Sequence, residues 1–497
     1  MKTTATAWTA IAWILAAPAY GASCESLMSI SLTQAKITMA QLVSAGAFSP
    51  PAGRADPYKT LPEFCRVAAT LAPSSDSDIK IEVWLPTAGW NRKFQAVGNG
   101  GWAGVISYLA MADAVKAGYA TASTDTGHST PGGGFALGHR EKLVDFSWRS
   151  EHEMTLKAKA IVRAFYNNAP TRSYWNGCST GGRQALKEAQ MFPEDFDGII
   201  AGAPGNRTAM GLWIAHALLK DPGSFIPPAK YPLIHKAVLE ACDTADGLKD
   251  GLIEDPTLCK FDPGVLLCKN ADGPDCLTAP QVDAARKVYM PGKNPRTGQE
   301  LFGSLAPGSE LGWAVMGGGP DPYAPIFDQA KFVVFQNPSW DWRTFDFDKD
   351  NARFERPEYL IMNATDPNLA TFVGHGGKLL IYHGWSDQNV SPYNTTRYFR
   401  AVEDTLGGAA KTAQNVRLFM VPGMAHCGGG EGPNMFDKIG TLDHWVEDGK
   451  APDIITAAHI TDGRLDRTRP LCRYPQIANY KGTGSIDDSA NFVCRLP

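Results

Sequence analysis

The sequence predicts an α/β protein, a largely parallel sheet interrupted by a large inserted domain. Apolar runs of strand length alternate with longer helical patterns near both ends of the chain, as in a sheet built from strand-helix-strand units. That rhythm breaks at Ala203 and resumes only at Lys378. The chain has 497 residues, 44% of them apolar and 20% charged, which excludes a disordered, collagenous or coiled-coil protein and leaves room for several domain-sized units.

Taken in order, Ile79 to Leu85 alternates apolar and polar side chains. Lys93 to Val97 runs into the glycine-rich GNGGWAG, and Tyr119 to Ser123 ends at TDTGH, so all three read as strands. Leu143 to Asn167 carries a helical pattern. Ser173 to Asn176 is strand-like and enters GCSTGG, a helix follows from about Gly181 to Met191, and Gly198 to Ala201 is a buried strand. After the break, Lys378 to Tyr382 and Val416 to Val421 are apolar runs that end in glycine-containing loops. The stretch between is rich in Pro, Gly, Asp and Trp and holds four cysteines, which marks an insertion. The expected division is a leader over 1–22, a core over 23–204, an inserted lid over 205–370 and the rest of the core over 371–497. The last 30 residues lack periodicity and read as a loop stapled through Cys472 and Cys494.

Lys2, the apolar run from Ala7 to Ala17 and the small residues from Ala19 to Ala22 have the order of a secretory leader, cut after Gly21 or Ala22. The run is short of the roughly 20 residues that a membrane span needs, and no later segment reaches that length. The expected location is therefore a periplasm or the medium, with no membrane association after cleavage. Lys plus Arg number 47 against 51 Asp plus Glu, and this net charge of -4 offers no reason to expect a nucleic-acid partner. Ten cysteines, an even number in a chain bound for an oxidising compartment, read as disulfides; none is spaced as CxxC.

Gly177-Cys178-Ser179-Thr180-Gly181 fits GxSxG between a strand and a helix, the setting of a nucleophile elbow. The turn is tight, so small neighbours are needed, and the serine hydroxyl meets the positive end of the helix dipole. The rival reading is a glycine-containing helix start capped by Ser179. A serine needs a base oriented by an acid, in the chain order Ser, Asp, His for this architecture. Asp387 follows KLLIYHGWS and His426 follows LFMVPGMA, each in a loop after a buried strand. Among ten histidines, His128, His216, His383 and His444 are the weaker candidates. The oxyanion donors expected are the backbone N–H groups of Thr180 and of Gly101 in GNGGWAG. Cys178 precedes the serine and Cys427 follows the histidine, so a Ser179 to His426 hydrogen bond would bring the two sulfurs near bonding distance.

A second candidate is CDTADGLKDGLIEDP, where Asp243, Asp246 and Asp250 alternate with glycines in a loop that Cys242 and Cys259 could close. Carboxylates and carbonyls on tight turns supply the hard oxygen ligands of Ca²⁺, although the spacing is not that of an EF-hand. An acidic solvated turn is the alternative.

With these residues in hand, the chain resembles the tannase and feruloyl esterase family, which also contains the hydrolase of mono(2-hydroxyethyl) terephthalate. The motifs that carry the resemblance are GCSTGGRQAL, DGIIAGAPG, CDTADGLKDGLIEDP, YHGWSD, VPGMAHCGGG and RPLCRYPQIANYKGTG. The resemblance implies an α/β-hydrolase core with a lid, a Ser179, Asp387 and His426 triad, and a Cys178 to Cys427 bridge beside it. It implies structural Ca²⁺ held by Asp243, Asp246 and Asp250 with the carbonyls of Leu248 and Leu252, and no catalytic cofactor. It also implies bridges from Cys24 to Cys65, Cys242 to Cys259, Cys268 to Cys276 and Cys472 to Cys494. In residues 310–350 the arginine and aromatics that grip the carboxylate of the terephthalate monoester have no match. Trp313 alone carries over, as an aromatic wall for a substrate ring, with packing inside the lid as the alternative.

The expected activity is that of a secreted serine esterase acting on small aromatic esters, of ferulic acid or related hydroxycinnamic acids. A gallate-ester or terephthalate-monoester hydrolase is the alternative, and a non-catalytic binding module on the same fold is the second.

Overall fold

Fifteen strands, β1 to β15, are present in the computed structural model, which describes residues 22–319 and 321–497. Apart from Ala22, the expected leader lies outside the described residues. In chain order the strands of the first part are β1 (Ala35–Val43), β2 (Phe64–Leu71), β3 (Ile79–Pro86), β4 (Lys93–Val97), β5 (Ala120–Thr124), β6 (Arg172–Cys178) and β7 (Gly198–Gly202). Among the described residues the insertion carries only β8 (Gly292–Lys293) and β9 (Glu300–Phe302), and the chain then forms β10 (Lys378–Gly384) and β11 (Val416–Val421). At the end lie β12 (Ile454–Thr461), β13 (Arg464–Cys472), β14 (Ile477–Tyr480) and β15 (Phe492–Arg495).

One sheet of nine strands, in the order β1-β2-β3-β5-β4-β6-β7-β10-β11, forms the body. The pairs from β1 through β3 to β5 are antiparallel, and every pair from β5 to β11 is parallel. The parallel strands read as apolar runs because both of their faces are covered. Alternate residues serve opposite faces: Trp175, Ile199 and Ile381 pack with the helices Ser150–Tyr166, Thr180–Met191 and Pro392–Leu406. Tyr174, Ile200 and Leu380 pack with Leu442 and Trp445 of the helix Lys438–Asp448.

Between β7 and β10 the chain adds no strand to this sheet and builds its own core. That core gathers the helices Met210–Leu219, Tyr231–Cys242 and Ala279–Tyr289 around a cluster rich in aromatic residues. The third of these starts at a capping box, with Thr278 accepting from the Gln281 N–H and Gln281 reaching back to the Thr278 N–H.

The tail differs from the expected loop. β12 and β13 form an antiparallel hairpin, and β14 pairs with β15 beside it. These last two strands have four residues each, too short to print a periodicity, and the Cys472–Cys494 bridge ties them to β13. All ten cysteines are paired, as Cys24–Cys65, Cys178–Cys427, Cys242–Cys259, Cys268–Cys276 and Cys472–Cys494. These are the pairings implied by the family resemblance.

Candidate active site

The register of the parallel strands brings their carboxyl ends to one edge, and the site is assembled there. Gly101 follows β4, Ser179 follows β6, Asp387 follows β10 and His426 follows β11. Ser179 sits between β6 and the helix Thr180–Met191 with φ +63°, a conformation that non-glycine residues rarely adopt. The turn is pinned by Ser179 N–H donating to the Gly202 carbonyl and by Gly205 N–H donating to the Ser179 carbonyl, both at 3.0 Å. It also requires Gly177, where a Cβ would stand 2.4 Å from the Gly181 carbonyl oxygen.

Ser179 Oγ lies 2.9 Å from His426 Nε2, and His426 Nδ1 lies 2.7 Å from Asp387 Oδ2. Asp387 is fully buried, and its Oδ1 accepts from the Asn389 and Val390 N–H groups at 2.7 and 2.9 Å. His383, the residue weighed as a rival base, lies buried in β10 and places Nε2 3.0 Å from Asp387 Oδ2. Its other nitrogen is 2.8 Å from Thr395 Oγ1. Burial alone would raise the Asp387 carboxyl, but the hydrogen bonds from His383 and His426 outweigh it and hold the group well below the usual carboxylate range. A carboxylate kept ionised in this way fixes the imidazole tautomer, with Nδ1–H toward Asp387 and Nε2 free to accept from the serine hydroxyl.

Gly101, with φ +57°, and Thr180 line the same cavity as Ser179 and His426. Thr180 opens a helix, where backbone N–H groups lack intrahelical partners. The Gly101 carbonyl accepts from Thr180 Oγ1 and from Arg207 Nη2, each at 2.6 Å. The Arg207 guanidinium lies 4.3 Å from the Trp102 ring centroid, and burial followed by the nearby Arg183 pushes it down to about 9. Trp102 Nε1 donates to the Pro325 carbonyl of the insertion at 3.1 Å. Arg207 and Trp102 thus couple the insertion to the loop that carries Gly101, and no motif in the sequence identified them for this role.

The cavity measures about 680 Å³. Met210, Met316, Tyr323 and Ile326 of the insertion form one wall, and Asn389 and Val390 belong to the wall beside Asp387. Trp313 is not part of its lining. This ring is 1% exposed inside the core of the insertion, between Tyr231 and Tyr289, and its Nε1 donates to Ser309 Oγ at 3.0 Å. The tryptophan that does face the cavity is Trp102. Cys178 and Cys427 also line it, their bridge setting a Cα separation of 6.0 Å beside the serine and the histidine.

In the acidic loop, Asp243 accepts from the Asp250 and Gly251 N–H groups, Asp246 from Leu248 N–H, and Asp250 from Leu252 N–H and Arg469. Burial, reinforced by Asp250, pushes Asp246 up to about 6, and burial pushes the adjacent Glu254 up to about 8. Among the described residues no group donates to the carbonyl oxygens of Leu248 and Leu252. Excess buried carboxylate and unclaimed carbonyls on tight turns fit a hard divalent cation.

The family described as tannase and feruloyl esterase matches residues 65–495. The chain belongs to that family. An uncharacterised esterase of Xanthomonas campestris pv. campestris is 38% identical, covering 98% of this chain and 93% of its own. A "probable feruloyl esterase B-2" of Aspergillus terreus is 34% identical over 96% of this chain and 95% of its own. The crystal structure of feruloyl esterase B from Aspergillus oryzae superposes with a TM-score of 0.89 at 32% identity, over 95% of this chain and 99% of that one. Membership of the tannase and feruloyl esterase family makes the protein a carboxylic ester hydrolase on an α/β-hydrolase fold.

Proposed function

We propose that this family member is a serine esterase that hydrolyses small esters of aromatic acids, of the ferulic and related hydroxycinnamic type. The observation that carries the reading is the unbroken chain from Ser179 Oγ through His426 to buried Asp387, opening on a cavity of about 680 Å³ whose lining combines apolar and aromatic side chains with a few polar ones. Ser179 Oγ attacks the ester carbonyl while His426 Nε2 takes its proton, and Asp387 stabilises the imidazolium. The Gly101 and Thr180 N–H groups hold the tetrahedral oxyanion. As the intermediate collapses, the C–O bond to the alcohol breaks and His426 returns the proton to the leaving oxygen. Water activated by His426 then attacks the acyl-enzyme and releases the acid and Ser179.

Asp243, Asp246 and Asp250, with the Leu248 and Leu252 carbonyls, would hold Ca²⁺, which supplies structural charge neutralisation and no chemical step. The five disulfides support an oxidising compartment, a periplasm or the medium, as the place of action. Among the described residues no helix is long and apolar enough to cross a membrane.

Hydrolysis of methyl ferulate, methyl gallate and mono(2-hydroxyethyl) terephthalate by the purified protein, with Ser179→Ala as control, tests the reading. Turnover highest on the ferulate and lost in the control is expected. A preference for either other ester would replace the hydroxycinnamate assignment, and a folded Ser179→Ala protein of full activity would overturn the serine mechanism. Chelation of Ca²⁺ should lower Tm; an unchanged melt, with no calcium by elemental analysis, would remove the ion from the account.

A further inference from the structure

Glu188 lies in the helix Thr180–Met191, the helix that Ser179 precedes, and is 1% exposed. Among the described residues no group donates a hydrogen bond to its carboxylate, and its Oε2 is buried without a partner. It faces Asp195, itself buried, close enough that the two carboxyls could share a proton. His152, on the helix Ser150–Tyr166, brings Nδ1 to 2.7 Å from Asp195 Oδ2. Among the described residues these three are the one set of His, Cys, Asp or Glu whose ligand atoms all lie within 4.8 Å of one another.

The cluster is short of positive charge. Two carboxylates in contact inside a protein repel each other, and one imidazole cannot neutralise both. The nearby Lys159 ammonium donates to the Asp195 backbone carbonyl rather than to either carboxylate, and it lies over the Phe196 ring.

We propose that His152, Glu188 and Asp195 form a binding site for a divalent transition-metal cation of the zinc class. One imidazole nitrogen and two carboxylate oxygens are a borderline donor set, which suits Zn²⁺ better than Ca²⁺ or Mg²⁺, both of which take oxygen ligands throughout. The 2.7 Å between His152 Nδ1 and Asp195 Oδ2 is close to the roughly 3.3 Å that separates neighbouring ligands of a tetrahedral zinc ion, so small shifts admit the metal. The His152 ring is stacked on Phe192 with centroids 3.8 Å apart, which holds its orientation. The imidazole is about one-fifth exposed, leaving a path from solvent and room for a water as fourth ligand. Glu188 is nine residues along the helix from Ser179, about 13 Å at 1.5 Å per residue, so the metal takes no part in ester chemistry. It ties together two helices and the turn that leads into β7, and so braces the helix behind the nucleophile.

The competing occupant is a proton shared by Glu188 and Asp195, and Glu188→Gln separates the two because the amide can donate to Asp195 in the proton's place. The full-length mature protein, stripped with a chelator and kept in excess Ca²⁺, is titrated with Co²⁺ and with Zn²⁺. The wild type is expected to take up one equivalent of Co²⁺ with visible d–d absorption and to gain several degrees in Tm with Zn²⁺, both lost in Glu188→Gln and in His152→Phe. A wild type that shows neither response, or the same responses in Glu188→Gln, would overturn the metal site. Should Glu188→Gln fail to fold, His152→Phe, altered at a partly exposed position, carries the same comparison.

Discussion

Replacing Cys178 and Cys427 together by alanine removes the bridge beside the nucleophile and the base. The bridge spans 249 residues of sequence, and the chain-entropy relation for a loop of that length gives about 5.5 kcal/mol at 25 °C. The Cys242–Cys259 and Cys268–Cys276 bridges lie inside this loop, but they remove only 17 and 8 residues from a logarithmic dependence. Strain and residual structure in the unfolded chain commonly reduce such values to about 2–5 kcal/mol. An unfolding entropy of about 2.1 cal/mol/K per residue makes roughly 1 kcal/mol/K for a chain of this size, so Tm should fall by about 2–5 °C. Catalysis should suffer more. The 2.9 Å contact between Ser179 Oγ and His426 Nε2 is set by backbones that the bridge holds 6.0 Å apart, and misplacing such a pair by about 1 Å costs on the order of 100-fold. Calorimetry and kcat on methyl ferulate measure both effects. The control is the Cys268 and Cys276 double alanine variant, whose bridge does not line the cavity and whose loss should lower Tm but leave kcat alone. If both double variants had the same kcat, the bridge would stabilise the fold without aligning the triad.

Asp387→Asn should lower kcat by about 10⁴ with little change in KM, since the amide offers its partner the wrong tautomer; steady-state rates within tenfold of wild type would refute this role. Arg207→Met removes one of two donors on the Gly101 carbonyl, so kcat should fall about 10- to 100-fold and a boronate transition-state analogue should weaken in proportion. Unchanged analogue affinity would reduce Arg207 to packing. His235, on the helix Tyr231–Cys242, places its nitrogens 2.7 Å from Glu310 and from Glu431 of the loop after His426, and Tyr289 also donates to Glu310. Burial would lower this imidazole, but the hydrogen bond to Glu310 and the ion pair with Glu431 prevail and raise it to about 9. Because the folded value exceeds the unfolded one of about 6.5, the contact contributes fully below about pH 6.5 and is lost as pH rises through about 9. Tm of the wild type should therefore drop more steeply than that of His235→Gln between about pH 7 and about pH 10. Equal slopes would show that this bridge does not link the insertion to the catalytic loop.

The strands legible in the sequence are those buried on both faces, such as β7, β10 and β11, because double burial writes a continuous apolar run. β1 stays hidden as an edge strand that buries only Ile37 and Val43, with a bulge between Ile37 and Met39. β2 hides because much of its signal rests on small residues, Cys65, Ala68 and Ala69. Ser179, Asp387 and His426 were legible because each follows a readable strand, and the turn after β6 admits only small neighbours. His383 was visible as a histidine but not as a second partner of Asp387, since that role depends on Thr395 and Val390 folding back onto it.

The sequence by itself determined the parallel core, the place of the insertion and the three residues that meet in one hydrogen-bonded line, Ser179, His426 and Asp387, all consequences of local burial and turn geometry. Which tryptophan faces the cavity was decided only by the tertiary structure. Trp313 and Trp102 are both large, apolar and followed by small residues, and a side chain's own segment does not record what packs against it. Tyr231, Tyr289 and Ser309 enclose Trp313, whereas Arg207 and Pro325 hold Trp102 at the cavity wall. The Arg207 contact with the Gly101 carbonyl and the meeting of His152, Glu188 and Asp195 depend likewise on contacts between segments far apart in the chain, which only folding brings together.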